Sequence, residues 1–199
     1  MKTIIYIVGF SFLFACTKQE SKPGQNAATP SSQGVAQVEK MDEPDQRLAF
    51  NLLTLDEKVA LASQHIDFCL GYFALDPNQK ASLTRAKAGL RNIYSSTDGS
   101  SAEMATLILD INQYFLSLDN KTLTVLFDSM AASDGDVQAI APVNPNVPRT
   151  NCTCSSASNY CSSSSWGIRI PCDTKCTNVT TWGCGTLWGY SCNGRCSMI

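Results

Sequence analysis

The chain has 199 residues, a formal net charge of −2 and 44% hydrophobic residues. This length suffices for one ordinary domain or two small ones, and the near-neutral charge argues against a general nucleic-acid binder. His65 is the single histidine of the sequence, which argues against histidine-dependent catalysis and a mixed cysteine–histidine zinc site. We therefore predict no catalytic residues, no cofactor and no nucleic-acid partner, and we do not expect an enzyme.

Residues 1–15 are typical of an export signal. Met1-Lys2 forms a short positive end, and the apolar run Thr3 to Ala15 is shorter than the ~20 residues that span a bilayer. The tetrapeptide ending at Cys16 (LFAC) resembles the lipobox of bacterial lipoproteins, whose cysteine is lipidated and becomes the mature N-terminus. The resemblance implies a lipid anchor at Cys16 and, with Thr17 following, an outer-membrane location. An ordinary signal peptide with a free thiol at Cys16 is the alternative.

Two segments with different patterns follow the signal. Residues 16–40 are predicted to form a flexible tether, because they are rich in Ser, Gln, Ala, Gly and Pro and lack an apolar period. Residues 41–132 have helical spacing and predict a small all-α bundle. Thr54-Leu-Asp-Glu57 predicts a capping box at one helix start, Asp76-Pro77 a second start and Ser100-Ser-Ala-Glu103 a third.

Apolar residues three and four apart predict the buried faces of these three helices. The faces consist of Val59, Ala62, Ile66, Cys69, Phe73; Leu83, Ala86, Leu90, Ile93; and Met104, Leu107, Ile111, Phe115, Leu118. Cys69 lies on such a face, so we predict a buried, inert thiol rather than a nucleophile, and we predict a structural role for His65. From Lys40 to Asp136 there are eight Lys/Arg and fourteen Asp/Glu, a balance of −6 that an acidic solvated surface explains.

Residues 133–150 lose the helical period and are predicted to form a proline-rich linker. Pro142, Pro145 and Pro148 recur every third residue, which is one per turn of a polyproline II helix. Such a spacer is solvated and accessible to proteases. Arg149-Thr150, at its end, is a candidate processing site.

Residues 151–199 form a cysteine-rich module. Its eight cysteines are Cys152, Cys154, Cys161, Cys172, Cys176, Cys184, Cys192 and Cys196. Its few aliphatic residues recover little of the entropy lost on ordering, so we predict a strand- and turn-dominated fold stabilised by disulfides made outside the cytoplasm. The spacing does not choose among the possible pairings. The alternative is a four-thiolate zinc site formed by Cys172, Cys176, Cys192 and Cys196, with export favouring disulfides.

Three short patterns predict local geometry in this module. Cys152 and Cys154 point to one face of an extended segment, so each is expected to bond to a different partner. Gly183 and Gly185 flank Cys184 and allow sharp turns on both sides of its sulfur. Asn193-Gly194 is a dipeptide favoured in tight hairpin turns.

The module resembles a known family. The segments 151–161 (NCTCSSASNYC), 183–190 (GCGTLWGY) and 192–194 (CNG) occur in the order found in the fulvocin C-related bacteriocins, which are small cysteine-rich antibacterial peptides. The resemblance covers about a quarter of the chain. It implies a C-terminal bacteriocin-like module carried behind a signal and a helical region.

The composition of the module is compatible with such an activity. Arg169, Lys175 and Arg195 against Asp173 give a charge of +2. The aromatic residues suit a membrane interface or another target surface, although they also suit a small core. These candidate contact residues are Trp166, Trp182, Trp188 and Tyr190.

We therefore predict an exported bacteriocin-like lipoprotein whose C-terminal module acts on the envelope or a surface receptor of competing bacteria. The acidic helical part would restrain the cationic module until it is released or makes contact. The alternative is a surface module that binds a glycan or protein without toxicity.

Overall fold

A computed structural model of the chain describes residues 31–41, 43–96, 98–139, 152, 154–158, 172–173, 176–177 and 179–196. Several predicted features lie outside these residues. They are the signal with Cys16, the processing site Arg149-Thr150, the three linker prolines, Cys161 and Trp166.

The described residues before position 140 are mostly helical. The helices in chain order are α1 (Ser31–Val38), α2 (Glu43–Phe50), α3 (Leu55–Tyr72), α4 (Pro77–Ser95), α5 (Ala102–Asp110), α6 (Asn120–Asp128) and α7 (Asp134–Ala139). A π-helical turn over Ile111–Phe115 continues α5. Helix α4 packs between α3 and α5, and α1 packs on α3. We call these helices together the helical part.

The predicted helix starts are confirmed at two places and shifted at the third. Thr54 and Glu57 form the reciprocal capping box of α3. Asp76 accepts hydrogen bonds from two backbone N–H groups of α4, with Pro77 in the first helical position. Helix α5 begins one residue later than predicted, because the Ser101 hydroxyl caps it by accepting from the Met104 N–H at 3.0 Å.

The three predicted apolar faces form the core of the helical part. Most of their residues are buried, and Val59, Phe73 and Leu118 are partly buried against the same cluster. The flanking helices α2 and α6 add Phe50 and Phe127, both fully buried. Phe127 meets Phe115 edge to face, with 5.0 Å between the ring centres.

Two segments predicted to lack structure contain helices. Helix α1 lies in the predicted tether, and its Val35 and Val38 are buried against the core. Helix α7 lies in the predicted linker, where Val137 is buried and Asp134 accepts a hydrogen bond from the Tyr72 hydroxyl at 2.7 Å. The sequence does not predict these two helices, because the described side chains of each include only one or two buried ones, too few to form a visible period.

The cysteine-rich segment contains short antiparallel strands, as predicted. β1 (Cys172–Asp173) pairs with β4 (Arg195–Cys196), and β2 (Thr180–Cys184) pairs with β3 (Tyr190–Cys192). A 3-10 turn over Thr186–Trp188 joins β2 to β3. The predicted fold class, helices followed by a disulfide-rich segment of strands and turns, is confirmed at this level of detail.

The disulfide prediction is confirmed for six of the cysteines. The bonds are Cys152–Cys176, Cys154–Cys172 and Cys184–Cys192. Cys152 and Cys154 bond to different partners, as their spacing predicts. Cys172, Cys176 and Cys192, which belong to the alternative zinc set, are each bonded to another cysteine.

The glycine prediction is confirmed, whereas Asn193-Gly194 forms no hairpin of its own. Gly183 and Gly185 have φ angles of 107° and 65°, the left-handed region that favours glycine. The N–H groups of Asn193 and Gly194 both donate to the carbonyl oxygen of Cys154, at 3.0 and 3.1 Å. This contact joins the end of β3 to the start of the cysteine-rich segment.

Candidate functional site

The most distinctive arrangement in the described residues is a contact between the helical part and residues 180–192, which we call the C-terminal hairpin. The Cys184–Cys192 disulfide links its two strands, and both cysteines are buried. At its tip, Leu187 and Trp188 have φ angles of 50° and 53°. Leu187, Trp188 and Tyr190 belong to the same hydrophobic cluster as the helices. The hairpin is therefore built into the core of the helical part.

Trp188 is the main apolar anchor of this contact. Its side chain is 0% exposed and meets Phe50 of α2 edge to face, with 5.4 Å between the ring centres. Its Nε1 donates a hydrogen bond to the carbonyl oxygen of Asp128 at 3.1 Å. We call the surface of the helical part that receives the hairpin, around Phe50 and Asp128, the seat. It packs against the ring of the tryptophan and accepts a hydrogen bond from its N–H, as a buried indole requires.

Arg47 of α2 links the helices to the hairpin. Its Nη1 donates to the carbonyl oxygen of Gly183 at 2.7 Å. Its Nη2 donates to the carbonyl oxygen of Asp128 at 2.8 Å and to the Asp128 carboxylate at 3.2 Å. The guanidinium also lies 5.2 Å from the centre of the Trp188 ring, within the range of a cation–π contact. Both side chains of the Arg47–Asp128 ion pair are about nine-tenths buried.

Gly183 of β2 lies very close to the backbone of Arg47 in α2. A Cβ atom built at Gly183 would lie 2.8 Å from the carbonyl oxygen of Arg47, nearer than a side chain can come. A glycine is therefore required there for its space as well as for its φ angle.

Polar contacts surround this buried centre. Asn51 pairs with the backbone of Trp182 through two hydrogen bonds of 2.8 Å, one donated in each direction. The buried Tyr94 hydroxyl donates to the carbonyl oxygen of Leu187 at 2.7 Å, and burial raises the pKa of this phenol. The Asp98 carboxylate accepts from the Ser191 N–H at 3.2 Å. These contacts fix the hairpin in one register against the helices.

The structure buries two of the aromatic residues that are candidate contacts. Trp188 and Tyr190, predicted as membrane or target contacts, are 0% and 6% exposed, so neither can reach a membrane in this conformation. They serve the core, the alternative that their composition also allowed. Trp182 is partly buried at the edge of the contact, where its ring meets Tyr94 edge to face.

Sequence reasoning did not single out Arg47, Asn51 or Asp128. Arg47 and Asn51 are only parts of a weak amphipathic segment, and Asp128 is one of fourteen acids in an acidic stretch. Nothing in the spacing of these residues connects them to the hairpin. Arg47 and Gly183 are 136 positions apart in sequence.

His65 and Cys69 lie one helical turn apart in α3. His65 contacts residues 126–131, at the end of α6 and just after it. The two ring nitrogens of His65 lie 2.7 Å from the carbonyl oxygen of Ala131 and 3.2 Å from that of Leu126. The Cys69 sulfur lies 3.6 Å from Nε2 of His65. Both side chains are buried, so the histidine serves to hold residues 126–131, which include the backbone carbonyl that receives Trp188 and Arg47.

We expect Cys69 to be unreactive in the folded protein. Burial raises the pKa of its thiol to about 12, and its side chain is 1% exposed, so little thiolate forms at neutral pH. In native, oxidised protein, iodoacetamide should leave Cys69 unmodified, whereas the same treatment in denaturant should add one label there. Mass spectrometry of the Cys69 peptide measures both. Rapid labelling without denaturant would contradict the buried position.

We expect stability to fall as the pH falls below the ordinary histidine pKa. Burial lowers the pKa of His65, and its two backbone contacts only partly oppose this. Below about pH 6.5 the unfolded chain therefore takes up a proton that the folded protein does not, and stability decreases by up to ~1.4 kcal/mol per pH unit down to the lowered pKa. Denaturant titrations between about pH 7 and pH 5.5 measure this slope, before most carboxylates titrate. The control variant His65→Gln should show a flatter profile, and equal slopes in both proteins would contradict the assignment.

A cleft lies between α4 and α5. Its polar groups bind one another: the Asp110 carboxylate accepts from Ser82 at 2.8 Å and from Arg85 at 2.6 Å. The part of the chain that the structure describes contains no group of three or more His, Cys, Asp or Glu side chains that could hold a metal ion. No helix within these described residues is long and apolar enough to cross a membrane.

No family model matches the chain, and neither a curated protein nor a solved structure is significantly similar to it.

Proposed function

We propose that the protein is an exported, bacteriocin-like lipoprotein in which the helical part holds the cysteine-rich segment in a latent state. The observation that carries this proposal is the burial of Trp188 and Tyr190 in the helical core. An aromatic surface that is to act on a membrane or receptor is covered in this conformation. The segment must therefore leave its seat before those side chains can meet a target.

The charges of the two parts are consistent with such restraint. The stretch from Lys40 to Asp136 carries −6 and residues 151–199 carry +2, so the two parts have net charges of opposite sign. A cationic, aromatic segment that leaves the helical part would next be attracted to an anionic envelope. Cleavage at Arg149-Thr150 is the proposed first step of release, because it would remove the covalent connection and leave the segment held by non-covalent contacts.

The proposed location rests on Cys16, the last residue of the lipobox-like tetrapeptide. A lipid on this cysteine would anchor the protein in the outer membrane and keep the latent segment in the cell envelope. The sequence resemblance to fulvocin C-related bacteriocins supports the antibacterial role, with competing bacteria as the proposed target. The contacts at the hairpin are hydrogen bonds and apolar packing, which suit binding rather than bond-breaking chemistry.

The test compares the full chain with a variant that loosens the seat. Oxidised wild-type protein, Arg47→Ala and the control Arg85→Ala are added to dye-loaded vesicles of phosphatidylethanolamine and phosphatidylglycerol, and to cultures of related bacteria. Arg85 also pairs with an aspartate, but more than half of its side chain is exposed and its bond is to α5 rather than to the hairpin. We expect leakage or growth inhibition from Arg47→Ala and little from the other two proteins. Reduction of the disulfides should abolish the effect.

A surface module that binds without toxicity is the second candidate function. Leu48 in α2, Leu52 just after α2 and Val179 just before β2 are exposed apolar side chains, and α2 contacts β2. Apolar side chains at a surface favour a protein or glycan partner. The same experiment separates the two functions. Binding to cells without leakage or killing by Arg47→Ala would favour the binding module, and inactivity of all three proteins on every strain and lipid would retire the antibacterial proposal.

A further inference from the structure

The seat of the C-terminal hairpin has the properties of a protein-binding site. A buried tryptophan and a buried arginine at its centre, with polar contacts around them, are the features that dominate binding energy between separate proteins. Every contact described between the helical part and the hairpin is non-covalent. All disulfides among the described residues join positions between 152 and 192, and Cys69 of the helical part forms none.

The hairpin carries much of its own shape. The Cys184–Cys192 bond links β2 to β3, and the two strands pair at Thr180–Cys192 and at Cys184–Tyr190. A ligand that is already ordered loses less conformational entropy when it binds. A hairpin that arrives from another molecule can therefore make the same contacts as the one attached to the helical part.

We propose that the seat of one molecule binds the C-terminal hairpin of a second copy of this chain. Phe50, Tyr94 and Met104 form the apolar wall of this site, with Arg47 and Asp128 at its centre. The occupant is residues 180–192 of the partner, inserted as in the single chain. Exchange of an identical element between two copies needs no new contact, because the contacts are those already seen within one molecule.

Such binding would give the producing cell a means of self-protection. An empty helical part, left in the envelope after its own segment has been released, would capture a segment that returns. This use depends on the proposed antibacterial function. The binding itself does not, and the experiment measures binding alone.

The experiment uses the full, oxidised chain with a specific protease site introduced between residues 139 and 152. After folding, the chain is cut there, and the two pieces are expected to remain together on gel filtration. Cut protein of natural isotope composition is then mixed with cut, isotope-labelled protein. Native mass spectrometry should detect hybrids in which a labelled helical part carries an unlabelled C-terminal segment.

Two variants test whether the exchange of C-terminal segments depends on the contacts of the seat. Asn51→Ala removes both hydrogen bonds to the Trp182 backbone, and we expect it to weaken the association of the two pieces about tenfold to thirtyfold. The control Asn112→Ala removes an exposed side chain that binds only its own helix, so it should leave the association unchanged. Pieces that separate without rebinding, pieces that never form hybrids, or equal weakening by both variants would each overturn the proposal. None of these results depends on whether the segment kills bacteria.

Discussion

Replacing Trp188 with alanine is expected to lower the free energy of unfolding by about 3–5 kcal/mol. The substitution empties the largest fully buried side-chain volume of the described core, removes the edge-to-face contact with Phe50 and deprives the Asp128 carbonyl of the indole N–H. Small proteins are stable by only about 5–15 kcal/mol, so this loss would be visible as a large shift of the denaturation midpoint. Urea titration of the oxidised protein, followed by circular dichroism of the helices, measures it.

Trp182→Ala is the control for this experiment. Trp182 is only partly buried, and its two hydrogen bonds to Asn51 involve its backbone, which the substitution keeps. We expect a loss of about 1–2 kcal/mol. Because the readout is the helical signal, a large effect of Trp188→Ala also shows that the hairpin supports the helices. If Trp188→Ala left the helical unfolding curve unchanged, the hairpin would not be part of the helical core.

Replacing Arg47 with alanine is expected to cost about 3–5 kcal/mol. The substitution removes a cation from beside the buried Asp128 carboxylate and ends the hydrogen bond to Gly183. Arg47→Lys keeps the charge but cannot reproduce the two-sided contacts of a guanidinium, so we expect a smaller but clear loss. Urea titrations of the three proteins at neutral pH measure both effects.

Arg85→Ala is the matched control for Arg47→Ala. Arg85 forms an ion pair of 2.6 Å with Asp110, yet more than half of its side chain is exposed, so the loss should stay within about 1 kcal/mol. Similar losses from both substitutions would mean that the Arg47–Asp128 pair is solvated and does not lie beneath the hairpin.

The sequence predicts the helices well where the signals are local. The capping residues Thr54 and Asp76 act on backbone groups two or three positions away, so their effect can be inferred without the fold. The apolar faces of α3, α4 and α5 follow from a repeat within one helix. The separate partners of Cys152 and Cys154, and the positive φ angles of Gly183 and Gly185, likewise follow from neighbouring residues.

The hairpin contact could not be predicted in this way, because it joins residues that are far apart in sequence. The estimate that the cysteine-rich segment has too few aliphatic residues to order itself treats the segment as a separate body. In the structure Leu187 and Trp188 are buried by side chains of α2, α4 and α6 as well, so part of the core that the segment lacks is supplied by the helices. Disulfides and helical contacts therefore stabilise the hairpin together.

The same reasoning explains why the burial of the aromatic residues in the helical core could not be predicted. Tryptophan and tyrosine suit both an interface and a core, and only the position of a partner decides between the two. For Trp188 that partner is Phe50, well over a hundred positions earlier in the chain. Short helices such as α1 and α7 were missed for a related reason, since most of their stability comes from packing on the core rather than from their own sequence.

The central claim is that the tip of the C-terminal hairpin lies inside the helical part, and nuclear Overhauser effects from the Trp188 indole test it most directly. In isotope-labelled, oxidised protein we expect effects between the Trp188 ring and the Phe50 ring, together with slow exchange of the indole N–H bonded to the Asp128 carbonyl. An indole N–H of Trp188 that exchanges as fast as that of an exposed tryptophan, with no effect to Phe50, would contradict the account.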